Sequence, residues 1–210
     1  MKICIINGSP KASKSTSELL IEYLMSFIKE NKVVIYNVCK AELSFNQFSQ
    51  IQNSEVLIFV FPLYIDSLNS CLLRFLIELE KRGFSNKNIN VYCMINNGFY
   101  EGWQNYVAAD IMRNWCNATG LTYGQTLGIG AGEMLPFIKD IPLGHGPNKN
   151  IGIALRKLSC NILSLNKGED LFVSPNWPRF LWKIAASFCF WYPKAKKNGV
   201  KRKRLKDRVN

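Results

Sequence analysis

Histidine is all but absent from this 210-residue chain, with His145 the single example. That leaves no material for a zinc site built on imidazoles and argues against a His-based catalytic triad. Cysteine is present but unpatterned: seven residues stand at positions 4, 39, 71, 93, 116, 160 and 189, with no C-x-x-C pair among them. The spacing excludes a zinc ribbon, a vicinal redox dithiol and a clustered iron–sulfur motif, and an odd, scattered set reads as reduced cytosolic thiols. There is no apolar run of about 20 residues of the kind that crosses a membrane. The first apolar stretch, residues 3–6, is too short for a secretory signal, so the expected location is cytoplasmic.

Acidic residues are scarce in one place only. Residues 175–210 hold 11 Lys or Arg against one Asp, a balance of +10, whereas residues 1–174 hold 16 basic and 14 acidic residues, a balance of +2. The total of +12 is therefore a property of the C-terminal tail. A tail of that kind attracts phosphate-rich surfaces. Two parts are expected: a body over 1–174 and an apolar helix with a basic tail over 175–210.

What is there, over the first 165 residues, is alternation of strands and helices. Residues 3–6 form a short buried strand, followed by a Gly/Ser/Pro/Lys turn and a helix over 17–29 with Leu20, Tyr23, Leu24, Phe27 and Ile28 on one face. Strands follow at 33–36, 56–61, 90–95 and 123–129, with helices at 67–81, 103–118 and 150–165. Residues 40–54 read as a polar connection with a short helix. The wholly apolar run at 56–61 suits a strand covered on both faces, and Gly120 is placed to stop the third long helix. The expected fold class is α/β: a doubly wound, five-stranded parallel sheet, with a strand count that suits the flavodoxin-like order.

In such sheets ligands bind where the strands end, and a phosphate is favoured at a helix N-terminus. The segment Asn7-Gly8-Ser9-Pro10-Lys11-Ala12-Ser13-Lys14-Ser15-Thr16-Ser17 supplies a close turn at Gly8, five hydroxyls (Ser9, Ser13, Ser15, Thr16, Ser17) and two lysines. Serine is also the usual helix cap, so hydroxyls alone do not decide. Residues 8–15 read G-x-x-x-x-S-K-S, one residue from a nucleoside-triphosphate loop. That loop needs its second glycine and a later strand ending in a metal-holding Asp, and both are missing. Two further strand ends offer flat surfaces: Pro62-Leu63-Tyr64-Ile65 with its aromatic, and Asn96-Asn97-Gly98 with a glycine that lets backbone approach a ring.

These residues resemble the flavodoxin-like NAD(P)H-dependent FMN reductase and oxidoreductase family. The resemblance covers about residues 1–165 and rests on the I-N-G-S-P-K…S-T…L-L segment from Ile6 to Leu20 and on the P-L-Y segment at 62–64. The N-N-G turn at 96–98 and the Gly-rich strand end at 128–132 add to it. It implies FMN as cofactor, NADH or NADPH as co-substrate, and a small acceptor such as a quinone, a nitro compound or a flavin. It also implies a homodimer. Ser9, Lys11, Ser15, Thr16 and Ser17 would hold the phosphate. Pro62, Leu63, Tyr64 and Ile65 would lie along the ring, with Asn96, Asn97 and Gly98 closing its other edge. No side chain is assigned as catalyst, because the chemistry belongs to flavin N5. Some relatives carry an iron–sulfur cysteine cluster after the third strand, where this chain has only Cys71. The alternative function is a flavodoxin-type electron carrier without pyridine-nucleotide activity, disfavoured because such carriers are acidic.

Two segments stand outside that assignment. Residues 130–148 are too rich in Gly and Pro for a regular element and read as a lid or dimer contact, with His145 a loop residue. Residues 179–192 read as a helix with a thin polar stripe of Arg179, Lys183 and Ser187, followed by clustered Lys and Arg. Packing on a sister subunit or on its own domain is one reading. An anionic membrane surface engaged through 179–208, leaving the protein peripheral, is another. Nucleic acid is disfavoured for want of a recognised module.

Overall fold

The computed structural model describes residues 1–11 and 14–207. The chain divides into two compact units, Met1–Pro175 and Asn176–Asn210.

The first unit is built on runs of apolar residues that can be satisfied only by cover on both faces. β1 (Lys2–Asn7), β3 (Val56–Pro62), β4 (Asn90–Asn96) and β5 (Thr122–Ile129) are buried along most of their lengths. Alternation sends their side chains to opposite layers. Ile3, Ile5, Ile58 and Val60 join α1 (Thr16–Ile28) and α5 (Lys149–Leu163) on one side. Ile6, Leu57, Phe59 and Phe61 join α2 (Phe45–Gln52), α3 (Ser70–Arg82) and α4 (Tyr106–Thr119) on the other. β2 (Lys32–Asn37) is an edge strand and is half exposed.

All strands are parallel, in the order β2-β1-β3-β4-β5-β6. The expected doubly wound sheet is present, with the order reversing beside β1, where open α/β sheets bind ligands. It has six strands rather than five. The extra one, β6 (Leu171–Val173), is three residues long and half-buried, and it pairs with β5 through Leu127, Gly128 and Ile129. Helix limits agree with the sequence reading to within a few residues, and Gly120 does close α4, with φ +71°. Residues 130–148 are not without structure: short 3₁₀ helices occupy Gly132–Phe137 and Gly146–Asn148.

In the second unit, α6 (Arg179–Ala185), a π-helical turn (Ala186–Trp191) and α7 (Tyr192–Lys197) follow one another without a break. Among the described residues, no helix is long and apolar enough to cross a membrane.

Candidate functional site

Parallel register brings the C-terminal strand ends level. Asn7 of β1 lies beside Val60 and Asn37, Pro62 of β3 beside Asn96, and Asn96 of β4 beside Ile129. Backbone bonds continue this order into the loops. Gly8 N donates to Val60 O at 2.9 Å, Leu63 N to Asn96 O at 2.8 Å, and Asn97 N to Ile129 O at 3.0 Å. Two hydroxyls at the start of α1 bridge across the sheet: Ser17 Oγ to Asn96 Oδ1 at 3.3 Å, and Thr16 Oγ1 to the Gly132 carbonyl at 3.2 Å. The three loops singled out in the sequence therefore meet in one place, joined by the loop after β5.

At the first loop, the hydroxyls are committed differently from the expectation. Ser15 is the N-cap of α1, where its Oγ accepts from Glu18 N at 3.1 Å, while Glu18 returns a carboxylate oxygen to Ser15 N at 3.0 Å. This reciprocal cap is a stability device. The Lys40 ammonium at 2.7 Å, and then the Ser15 N–H, hold the Glu18 carboxyl below its ordinary range. Ser15, Thr16 and Ser17 thus spend their hydroxyls on structure. The N–H groups of Thr16 and Ser17, at the first two positions of the helix, find no acceptor among the described residues. Ser9 is buried, its N–H donating to Asn7 Oδ1 at 3.0 Å and its Oγ accepting from Lys11 N at 3.4 Å, which folds the loop back on itself. Lys11 and Lys14 are exposed; Ala12 and Ser13 lie outside the described residues. Gly8 is wedged in place, since a Cβ there would stand 3.0 Å from Leu72 Cδ2 and 3.2 Å from Phe61 Cβ.

After β3 the chain makes a tight reversal, with Tyr64 and Ser67 exchanging both backbone bonds at 2.9 and 3.0 Å. Its two central residues, Ile65 and Asp66, have φ +47° and +55°. A β-branched residue in the left-handed region is costly, and such strain gathers at functional sites. Ile65 is also 99% exposed and Tyr64 47% exposed. Neither strain nor exposure helps this loop fold, so the turn presents both side chains outward at a cost.

After β4, Asn96 and Asn97 are buried and turned inward. Asn97 Nδ2 donates to Glu101 O at 3.1 Å, and its carbonyl accepts from Gly132 N at 2.7 Å. These two residues brace the loop. Exposure falls instead on Gly98 and Phe99, whose N–H groups meet no acceptor among the described residues. A Cβ on Gly98 would find only Glu133 Cγ, at 4.0 Å. Phe99 was not picked out from the sequence; a lone aromatic after a turn glycine carries no distinguishing pattern.

The cysteines require a correction. Cys39 and Cys71 are joined as a disulfide, with Cα atoms 5.4 Å apart, and are not two separate thiols. They stand 32 positions apart and are brought together by the end of β2 and the first turn of α3. Cys4, Cys93, Cys116, Cys160 and Cys189 are free. Burial pushes the Cys4 thiol up to about 11 and Cys116 to about 12. Among the described residues, no cluster of three or more His, Cys, Asp or Glu side chains could hold a metal ion.

No protein-family profile matches the chain, and neither does any curated protein. Solved structures do. An FMN-dependent NADH-azoreductase from Bacillus anthracis strain Ames Ancestor, in complex with FMN, aligns at 15% identity and TM-score 0.57 over 77% of this chain and 99% of that one. An NADH:FMN oxidoreductase in its apo form aligns at 17% identity and TM-score 0.58, over 76% and 89%. An NAD(P)H:quinone oxidoreductase from Methanothermobacter marburgensis aligns at 15% identity and TM-score 0.54, over 78% and 97%. At these identities the likeness is one of architecture, and the chain has the flavodoxin-like fold that these three structures share.

Proposed function

We propose that the chain is an FMN-dependent oxidoreductase that passes electrons from NADH or NADPH to a small acceptor, such as a quinone, a nitro compound or a flavin. The observation that carries this reading is the convergence, at level strand ends, of two helix amides without an acceptor among the described residues, a strained outward-facing Tyr64–Ile65 turn and an open Gly98. The donor set fits FMN. The Thr16 and Ser17 amides, with Ser9 and Lys11, suit a dianionic phosphate at a helix N-terminus. Pro62, Leu63, Tyr64 and Ile65 offer an apolar surface to one side of a flat ring. The Gly98 and Phe99 N–H groups are donors for the ring edge that gains negative charge. Asn96 and Asn97 position that edge from beneath. Bound FMN supplies the hydride and electron chemistry; the chain binds, orients and shields it. The FMN-bound NADH-azoreductase, the NADH:FMN oxidoreductase and the NAD(P)H:quinone oxidoreductase named above support the same reading.

The expected result is that purified protein takes up one FMN in titration and then oxidises NADH or NADPH when a quinone or nitro compound is supplied. No flavin uptake rejects the proposal. Uptake without pyridine-nucleotide oxidation identifies an electron carrier instead. The resemblance also suggests a homodimer, which sedimentation velocity reads directly.

A second reading concerns the tail, and a specific observation favours it. Phe180, Ile184, Phe188 and Trp191 recur at helical spacing, each more than half exposed. Lys194 and Arg202 lie over the Phe190 and Tyr192 rings, and Lys196, Lys197, Lys201, Lys203 and Arg204 follow. An exposed aromatic stripe beside a basic run is the pattern of a helix lying in an anionic lipid interface. We propose peripheral membrane attachment through 179–208. The full chain should pellet with phosphatidylserine vesicles but not with phosphatidylcholine vesicles. Phe188→Ser with Trp191→Ser, or glutamines at 201–204, should each weaken binding at least tenfold. Equal pelleting of all variants rejects it, and salt-sensitive binding to duplex DNA with no vesicle binding assigns the charge to nucleic acid.

A further inference from the structure

We propose that Cys39 and Cys71 form a reversible thiol–disulfide switch on the first loop of the candidate site, exchanged by small thiols. Four observations lead there. The Cα separation of 5.4 Å is within the range that a disulfide spans without moving the backbone. Both residues are half-buried and line an open groove of about 650 Å³, shared with Lys40, Arg74, Phe75 and Arg82, so a small thiol can reach the bond. Cys71 is the second residue of the 13-residue α3, whose N-terminal dipole favours a thiolate there. The pair also flanks the first loop, which Asn69 holds. Asn69, the N-cap of α3, donates from Nδ2 to the Gly8 carbonyl at 2.8 Å and accepts from Leu72 N at 3.0 Å. Cys39 Sγ lies 3.4 Å from that same carbonyl, and Cys71 Sγ lies 2.9 Å from Asn69 Oδ1.

The cross-link thus ties the end of β2 to the start of α3 on either side of Gly8, the residue from which the first loop departs. Asn7 completes the arrangement by donating from Nδ2 to Asn37 Oδ1 at 2.7 Å. When the bond is broken, Cys39 and Cys71 regain separate rotamers and Gly8 loses a fixed flank.

The exchange balances without any other cofactor. An incoming thiolate attacks Cys39 Sγ, the Sγ–Sγ bond breaks, and Cys71 departs as the stabilised thiolate and better leaving group. A second small thiol then attacks the mixed disulfide on Cys39. The products are two protein thiols and one oxidised small disulfide, and the two protons of the incoming thiols end on Cys39 and Cys71. Reoxidation by a small disulfide runs the same steps backward.

The effect on cofactor affinity rests on the FMN reading; the exchange itself does not. The test treats the full-length protein with oxidised or reduced glutathione, alkylates it and maps the labelled cysteines by mass. Oxidised protein should label at Cys160 and Cys189 but not at Cys39 or Cys71, and reduced glutathione should open both. FMN titration of the two forms should show affinity falling about tenfold on reduction, a change of about 1.4 kcal/mol. Cys39→Ser should bind as the reduced form does in either buffer. Hydrogen exchange at the Gly8 and Ser9 amides should quicken on reduction with or without flavin. Labelling of Cys39 and Cys71 in the oxidised protein overturns the proposal, as does a bond that reduced glutathione leaves intact. So does unchanged exchange at Gly8. Absence of FMN binding in both forms, with the labelling and exchange results as expected, overturns the FMN reading and leaves the switch standing.

Discussion

Gly130→Ala is expected to destabilise the protein by about 4 kcal/mol, combining overpacking with lost loop hydrogen bonds. A Cβ at this position would lie 2.2 Å from Tyr100 O, 2.7 Å from Glu101 C and 2.7 Å from Gly102 N. These are backbone atoms, which cannot step aside by changing rotamer. The β4 loop would have to lift from the end of β5, and the bonds that zip the two loops would go with it. Those are Asn97 N to Ile129 O at 3.0 Å, Gly132 N to Asn97 O at 2.7 Å and Ala131 N to Phe99 O. For a domain of this size the melting temperature should drop by about 10 °C. Gly98→Ala is the matched contrast. With nothing closer than 4.0 Å to the new methyl, its stability should stay within about 0.5 kcal/mol of the parent. Its FMN affinity should nevertheless fall, because the methyl stands where a flat ring would approach the backbone. Thermal melts and flavin titration on the two variants separate the scaffold from the surface it presents. Equal melting temperatures for both would contradict the packing argument, and unchanged flavin affinity in Gly98→Ala would remove the β4 loop from the site.

The contrast between these two glycines also marks how far sequence reasoning reaches. The central strands were legible because fully buried strands must be apolar throughout, as β3 is from Val56 to Phe61. The location of the candidate site followed from topology, since open α/β sheets bind ligands where parallel strands end beside the reversal of strand order. What was hidden is the division of labour inside each loop. Ser15, Thr16 and Ser17 are residue types that cap helices and residue types that bind phosphate, and only the geometry shows them capping and bridging. Asn96 and Asn97 looked like ring contacts but turn inward as braces. The reversal at Tyr64 carries Ile65 and Asp66 in left-handed conformations, where a sequence reader expects Gly or Asn. The Cys39–Cys71 pair, spanning 32 positions, has no spacing signature at all. The sixth strand failed for a related reason: three half-buried residues have too little periodicity to register.

One carboxylate anchors the start of that sixth strand, and removing it should produce the second large effect. Asp170 immediately precedes β6 and has a side chain only 10% exposed. Its Oδ1 accepts from Thr126 N at 2.7 Å and from Tyr123 Oη at 2.9 Å, while Oδ2 pairs with Arg113 Nη2. Asp170→Ala leaves the buried Thr126 N–H without its acceptor and frees Arg113 from its buried partner, leaving it Asp110 and the face of the Tyr123 ring. Taking this acceptor from the Thr126 N–H and the Tyr123 hydroxyl costs about 2–4 kcal/mol, to which the 42%-exposed Arg113 adds little. Burial pushes the Tyr123 phenol well above its ordinary range, so it stays a neutral donor and cannot replace the missing charge. β6 would then loosen from β5, and with it Val173 O and Ser174 Oγ, which accept from Gly130 N and Gly102 N at 2.9 and 3.3 Å. The loss should reach the candidate site through the same loop contacts that Gly130→Ala disrupts. Asp170→Asn decides which role matters more. Its amide keeps one oxygen for Thr126 and Tyr123 but turns an NH₂ toward the Arg113 guanidinium. Urea unfolding should therefore rank the parent above Asn and Asn above Ala, with Asn costing about 1–2 kcal/mol if acceptance of the Thr126 N–H dominates. An Asn variant as unstable as the Ala variant would assign the strand's attachment to the ion pair with Arg113 instead.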